Sequence, residues 1–453
     1  MDRSGGGRGR PCVRLVPTGR IAPAGYRIDI TRITGIGSRW YASGPIAVPK
    51  GYCAIRYPPK PLMKNDILEG AGMTPLNITK SGQRPNFDTD LQILRAIAAL
   101  LVVMDHSIQW MLIGMGATRA DNALGFFADE MGAIGVGAFF ALSGYIMLET
   151  NKRGLGSWSG ALRFLIRRML RIAPIYYVGS LAAFLLLTRT VGIRVTEMEL
   201  LTSLGFVPYY SAIENPGFFP VLGVGWTLNL EMFFYLLFAG CLALFPPQKG
   251  ALLLVAVICG VVVMGRGLAA IGMVGQHSIL YFYSMHVMLL FAAGVLVSRF
   301  KNKIVAWAQP LARFLNFYLI LAAMLAICLF FGFTVGKPDS LRKAFELSAI
   351  VLLVHAACFG IPMSGAARRL FVYLGDASYA LYVFHSLFLM TIHHVWMRFG
   401  NGGHWAHFLL NVTIAIIGGV ACYRLIEVPL RRGVEYPVRR WLEQRLPVRS
   451  LET

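Results

Sequence analysis

From Leu91 to about residue 425 the chain is a succession of apolar runs, each about 18–25 residues long. That feature alone confines it to a lipid bilayer. A helix rises 1.5 Å per residue, so about 20 apolar residues match the ~30 Å hydrocarbon core. Ten spans are predicted, at 91–114, 123–148, 172–188, 222–245, 250–265, 278–298, 314–334, 341–361, 374–397 and 406–425. The expected fold is an all-α polytopic bundle. The fifth run is short, and the glycines of the second make it the run most open to a break. No internal repeat is visible, and the longest predicted loop, 189–221, is too short for a soluble domain.

Composition agrees. Hydrophobic residues make up 56% of the chain and charged ones 14%, against about 45–50% and 25% in soluble domains. The net charge of +21 invites a nucleic-acid reading, but the excess sits in the N-terminal segment and between spans. With both termini cytoplasmic, the inner segments after the first span hold twenty Lys/Arg and the outer loops eight. That asymmetry is the positive-inside pattern of a membrane protein. The 334–343 loop, with Lys337, Arg342 and Lys343, fits it worst. The cysteines, at positions 12, 53, 241, 259, 328, 358 and 422, are seven in number and show no C-x-x-C. Neither a disulfide framework nor a zinc site is expected.

Residues 1–86 are basic and rich in Gly and Pro, with fourteen Lys/Arg against four Asp/Glu in 1–84. They hold no apolar core of the 7–15 residues that a secretory signal needs. A disordered cytosolic extension is expected, with Met63 or Met73 as an alternative start. Residues 433–453 are expected to be a basic cytoplasmic tail.

Ionisable residues inside the spans cost about 2.5–3.5 kcal/mol each on insertion scales, so they mark candidate sites. The first span, LQILRAIAALLVVMDHS, carries Arg95, Asp105 and His106. Eleven residues at about 100° and 1.5 Å each place Arg95 and His106 on nearly one helix face, roughly 16 Å apart. A neutral imidazole at that depth suits a general base that takes a proton from a hydroxyl; the bland alternative is a packed, hydrogen-bonded histidine. Glu231, inside the fourth span, is the candidate carboxylate to orient that imidazole, or else a packing ion pair. Asp105 points about 100° away from His106 and is expected to pair with another span. Arg167, Arg168 and Arg171 lie where a predicted inner loop meets the third span. Arg168 and Arg171 share a face, and guanidinium forks suit phosphates. Plain headgroup anchoring is the alternative. Gly132, Gly135, Gly137, Ser143 and Gly144 read as a surface for close helix approach. Glu427 is expected to end the last span with an arginine partner. His393, His394, His404 and His407 read as an interfacial group with no metal.

The spacing of Arg95 and His106 also resembles the start of the membrane family often called acyltransferase 3. Further segments in the same order resemble it: GVGAFFALSGYIM (135–147), RRMLRIAPIYY (167–177), GWTLNLEMFFYLL (225–237), LGDASYALYVFHS (374–386) and IEVP (426–429). Together they run over about residues 87–432. The I/L-Q-x-L-R-A-x-A-A-L start is most like the branch that acetylates bacterial exopolysaccharides. The resemblance implies an inner-membrane, multi-pass O-acyltransferase. Acetyl-coenzyme A would be the donor substrate, with no permanently bound cofactor, and a polysaccharide or lipid-linked saccharide the acceptor. It implies His106 as base with Glu231 in support. Arg95, Arg168 and Arg171 would bind the donor, and Trp226 the acceptor. Tyr379, Tyr382 and His385 share a face of the ninth span and read as structural hydrogen bonding, with acceptor binding by Tyr379 and His385 as the alternative. Ten spans with buried charges fit a sugar or lipid-linked-sugar transporter too, although the broken, repeated helices of that class are not seen. A membrane scaffold for a polysaccharide synthase is the third class. Acceptor-dependent release of coenzyme A separates the three.

Overall fold

In hydrocarbon each backbone N–H and C=O must find a partner within the protein, and a helix supplies one for every residue. The apolar runs accordingly fold as helices. The computed structural model describes residues 87–117, 122–151, 157–211, 217–312, 316–334, 339–400 and 402–445. The expectations for residues 1–86, for Lys337 and for the last eight residues lie outside them.

The helices are α1 (Phe87–Gly114), α2 (Ala123–Asn151), α3 (Trp158–Leu186), α4 (Glu197–Leu204) and α5 (Trp226–Leu244). They continue with α6 (Pro247–Ala270), α7 (Ile279–Tyr283), α8 (Met288–Ala312), α9 (Phe317–Thr334) and α10 (Asp339–Cys358). The last four are α11 (Gly365–Asp376), α12 (Ser378–Phe399), α13 (His404–Cys422) and α14 (Tyr436–Arg445). Apart from an isolated antiparallel bridge between Ser211 and Gly217, the described residues are helix, turn and irregular chain.

Among the described residues eight helical stretches are long and apolar enough to cross a membrane: Thr89–Gly114, Ala123–Asn151, Trp158–Val191, Gly223–Cys241, Lys249–Ala270, Ile279–Pro310, Ser378–Phe399 and His404–Leu442. The predicted seventh and eighth spans are α9 and α10, whose described apolar parts, Phe317–Phe330 and Ser348–Cys358, are shorter.

Several boundaries differ from those predicted, for one reason: hydropathy marks where lipid ends, not where a helix ends. The third helix starts at Trp158 instead of 172, because Ser157 caps it by accepting a hydrogen bond from the Gly160 N–H and no proline falls between Trp158 and Arg171; Pro174 lies inside the helix. At 34 residues Trp158–Val191 is roughly 51 Å long, about 20 Å more than the hydrocarbon core. Arg167, Arg168 and Arg171 therefore sit within a helix, not in a loop. The predicted sixth span is split into α7 and α8, and α8 runs on to Ala312 through residues expected to be an inner loop. The predicted ninth span is interrupted at Ala377. The second is unbroken despite its glycines.

Helix α2 is the centre of the bundle. Its apolar window is 72% buried, against 28% for α6, and it lies against α1, α6, α8, α9 and α10. The glycines permit this. A Cβ at Gly135 would stand 2.7 Å from the Ala98 carbonyl oxygen of α1, and one at Gly144 would collide with the Phe291 carbonyl of α8. Small residues let membrane helices approach until dispersion and backbone contacts hold them. Aromatic packing completes the interior, with Phe234 of α5 stacked on Phe291 at 4.3 Å between centroids.

Candidate active site

Helix α1 presents Arg95 and His106 on its inner side, and three other helices bring polar groups to the same line. His106 Nδ1 lies 2.9 Å from the Val102 carbonyl oxygen. Only the protonated nitrogen can donate there, so this bond leaves the Nε2 lone pair exposed. Asp105 Oδ2 is 3.7 Å from the same Nδ1. Asp105 itself accepts from Gln109 and packs on Gly132 of α2, where a Cβ would collide with its carboxylate. Its contact with a second span is thus packing on a glycine, while the polar contacts just named lie within α1.

The His106 ring meets that of His385 edge-on, with centroids 5.0 Å apart. His385, on α12, is fully buried. Its Nδ1 donates to the carbonyls of Tyr382 (2.8 Å) and Leu381 (3.2 Å), and its Nε2 has no partner. Tyr382 shares a hydroxyl hydrogen bond of 2.8 Å with Thr227. The meeting of the two imidazoles could not be read from residues 279 positions apart in sequence.

Glu231, on α5, makes no hydrogen bond with His106. Its Oε1 accepts from Ser143 of α2 at 2.8 Å and from Tyr235. The small-residue stripe of α2 therefore supplies a hydroxyl as well as close packing. Beyond it lies a cluster of charges. Arg95 feels those of Arg171, Glu427, Asp376 and Glu231. Arg171 pairs with Glu427 at 2.9 Å, and Glu427 also accepts from the Ala380 N–H. Glu427 has the arginine partner expected of it but does not end the last span, whose helical run continues to Leu442. Tyr379 is near the same charges, but its hydroxyl donates to the Ile172 carbonyl at 2.7 Å and ties α12 to α3. Arg168 lies over the rings of Phe164 and Tyr235. Among the described residues Arg95 and Arg168 form no ion pair, whereas Arg171 is committed to a carboxylate.

At the other end of α1 His106 lines a cavity of about 1680 Å³. Its wall includes Trp110, Trp226, Tyr382, Arg266 and His393. The segment predicted as a bare outer loop, 189–221, contributes to this wall and contains α4. That helix starts with a capping box between Thr196 and Glu199, a signature legible as T-x-x-E and missed. Among the described residues no group of histidines, cysteines and acids is placed to hold a metal ion. His393 meets Trp110 and His407 with tilted rings, and His407 stacks on Trp396, an aromatic cluster beside the cavity.

Histidine at a cavity mouth, carboxylate behind it and free arginines at the far end define a multi-pass membrane protein with a chemical site inside its bundle. Residues 88–424 match the acyltransferase domain of the acyltransferase 3 family. The chain is 30% identical to the exopolysaccharide production protein ExoZ of Rhizobium meliloti, over 67% of this chain and 91% of that protein. It is 27% identical to nodulation protein 10 of Rhizobium leguminosarum bv. viciae, over 79% of this chain and 96% of that one. No solved structure matches. The chain belongs to the acyltransferase 3 family and is an acyltransferase of the multi-pass membrane type.

Proposed function

We propose that the protein is an inner-membrane O-acyltransferase. It takes an acetyl or similar short acyl group from acyl-coenzyme A and esterifies a hydroxyl of an exported polysaccharide or its lipid-linked precursor. The observation that carries this reading is the placement of His106 between two unlike ends of one bundle. One end offers uncommitted guanidinium groups, and the other a roomy cavity with aromatic walls.

In this reading both termini are cytoplasmic and the donor's phosphates bind at the arginine end. Arg95 and Arg168 make the primary contacts, and Arg171 adds charge from its pair with Glu427. The acyl thioester then points along α1 toward His106. Small-molecule pockets are typically about 300–1,000 Å³; a cavity of about 1680 Å³ has room for several sugar rings. Trp226 supplies a platform for a sugar. Tyr379 and His385 support the site from α12, as a helix tie and as a wall of the imidazole pocket.

The acceptor hydroxyl gives its proton to His106 Nε2 as its oxygen attacks the thioester carbonyl carbon. The C–O bond forms, the C–S bond breaks, and the departing thiolate takes the proton from the imidazolium. Asp105, 3.7 Å from Nδ1, stabilises that cation by charge. Glu231, held by Ser143 and Tyr235, adds negative potential along the path without touching the ring. The name of the Rhizobium meliloti relative supports an exopolysaccharide acceptor. The test is purified protein with labelled acetyl-coenzyme A. Acceptor-dependent release of coenzyme A supports the reading, and its absence with active-site-intact protein and every saccharide offered overturns it.

A further inference from the structure

One arginine of the cavity lies inside an apolar helix and was passed over in the sequence. Arg266 is four residues from the end of α6. Its guanidinium lies over the Tyr281 ring at 4.2 Å, and its Nε donates to the Ser284 carbonyl at 3.0 Å. A Cβ on the neighbouring Gly265 would collide with Ser284, so α6 and the turn after α7 are in direct contact there. The group is thus held from two sides, and its two terminal nitrogens are left over. It lines the same cavity as His106 and Trp226. Arg194 and Arg398 line it as well, and among the described residues no carboxylate forms an ion pair with any of the three. The acids in the wall are Asp105, Asp129 and Glu199; Glu199 is committed to its helix cap and Asp105 to Gln109. A guanidinium that is half-buried, oriented and without a counter-ion is arranged for an oxyanion from outside the chain.

We infer that the acceptor is anionic and that Arg266 binds its carboxylate or phosphate oxygens within the cavity. The inference rests on the acyl-transfer reading and names the substrate class of that site. The oxyanion can belong to an acidic sugar or to the diphosphate of a lipid-linked saccharide. Tyr281 and the main-chain bond at Ser284 fix the fork so that both terminal nitrogens face one anion.

The test measures binding without turnover. Purified full-length protein in dodecyl maltoside is titrated with three probes, read by tryptophan fluorescence. They are neutral xylohexaose, a xylo-oligosaccharide carrying glucuronate, and a single neutral sugar on a short polyprenyl diphosphate. The wild type should bind one or both anionic probes about ten- to a hundredfold more tightly than xylohexaose. The arm that shows the preference identifies the carboxylate or the diphosphate. Arg266→Gln should erase the preference with neutral binding unchanged, and Arg266→Lys should keep only part of it. Arg168→Gln, at the opposite end, should keep all of it. Equal binding of charged and neutral probes by the wild type would overturn the inference, whatever the variants do. So would an unchanged preference in Arg266→Gln. Were Arg266 a lipid-headgroup contact, its loss would lower the thermal midpoint only with phosphatidylglycerol present and leave saccharide binding alone, which also overturns it. Failure to release coenzyme A with any acceptor counts against acyl transfer instead.

Discussion

The arginines illustrate what single residues can and cannot announce. Arg95, Arg168 and Arg171 look alike in sequence, yet the fold gives them different surroundings. Arg171 is bound to a fully buried Glu427 at 2.9 Å, and among the described residues Arg95 and Arg168 are not bound to any acid. Removing Arg168 should therefore act on the donor. A charge-assisted hydrogen bond is worth about 1.5–3 kcal/mol, hence on the order of ten- to a hundredfold in donor KM. We expect Arg168→Gln to raise the KM for acetyl-coenzyme A with the acceptor KM little changed, normalised to inserted protein. Arg168→Lys should rescue little, because an ammonium cannot fork across two oxygens. Free substitution by Lys, with normal donor kinetics, would make Arg168 a topology signal only. Arg171→Gln should differ. It strands the Glu427 carboxylate, an error that costs about 3–5 kcal/mol when the pair is buried; Arg431, at 3.9 Å from the same oxygen, limits the loss. The expected result is a lower thermal midpoint in detergent that Glu427→Gln, made in the same background, partly restores.

Among the elements, the spans were legible because each must hide its own backbone and face lipid or protein with apolar side chains. Arg95 and His106 were legible as a pair because eleven residues return a helix to nearly the same face. What was not legible depends on contacts far apart in sequence or on signals weaker than hydropathy. The start of α3 at Trp158 rests on one serine cap, and α4 on one capping box. The edge-on contact of His106 and His385, and the hydrogen bond from Ser143 to Glu231, exist only once α1, α2, α5 and α12 are assembled. Glycine at 144 was read correctly as a packing position, and the structure says which partner it serves. Because a Cβ there meets backbone rather than a flexible side chain, Gly144→Leu should separate α2 from α8. We expect little folded protein after detergent extraction, measured by size-exclusion profile. A monodisperse, fully active variant would show that the α2–α8 approach is not needed.

For the molecule as a whole, the family match begins at residue 88, just after the basic N-terminal segment. Deleting residues 2–62 should accordingly leave transfer activity nearly unchanged, checked by label incorporation per inserted protein. A truncated enzyme that inserts but does not turn over would assign that segment a role in catalysis. The bundle's division into an arginine end and a cavity end, joined through α1, is the central claim, and His106 is its pivot. The most direct measurement compares wild-type and His106→Ala protein, purified in equal amounts and matched for thermal midpoint, with labelled acetyl-coenzyme A and a saccharide acceptor. General-base catalysis contributes about 10²–10⁴-fold, so the variant should release coenzyme A at least about a hundredfold more slowly while binding the donor normally. A variant that kept more than about a tenth of the wild-type rate would contradict the account.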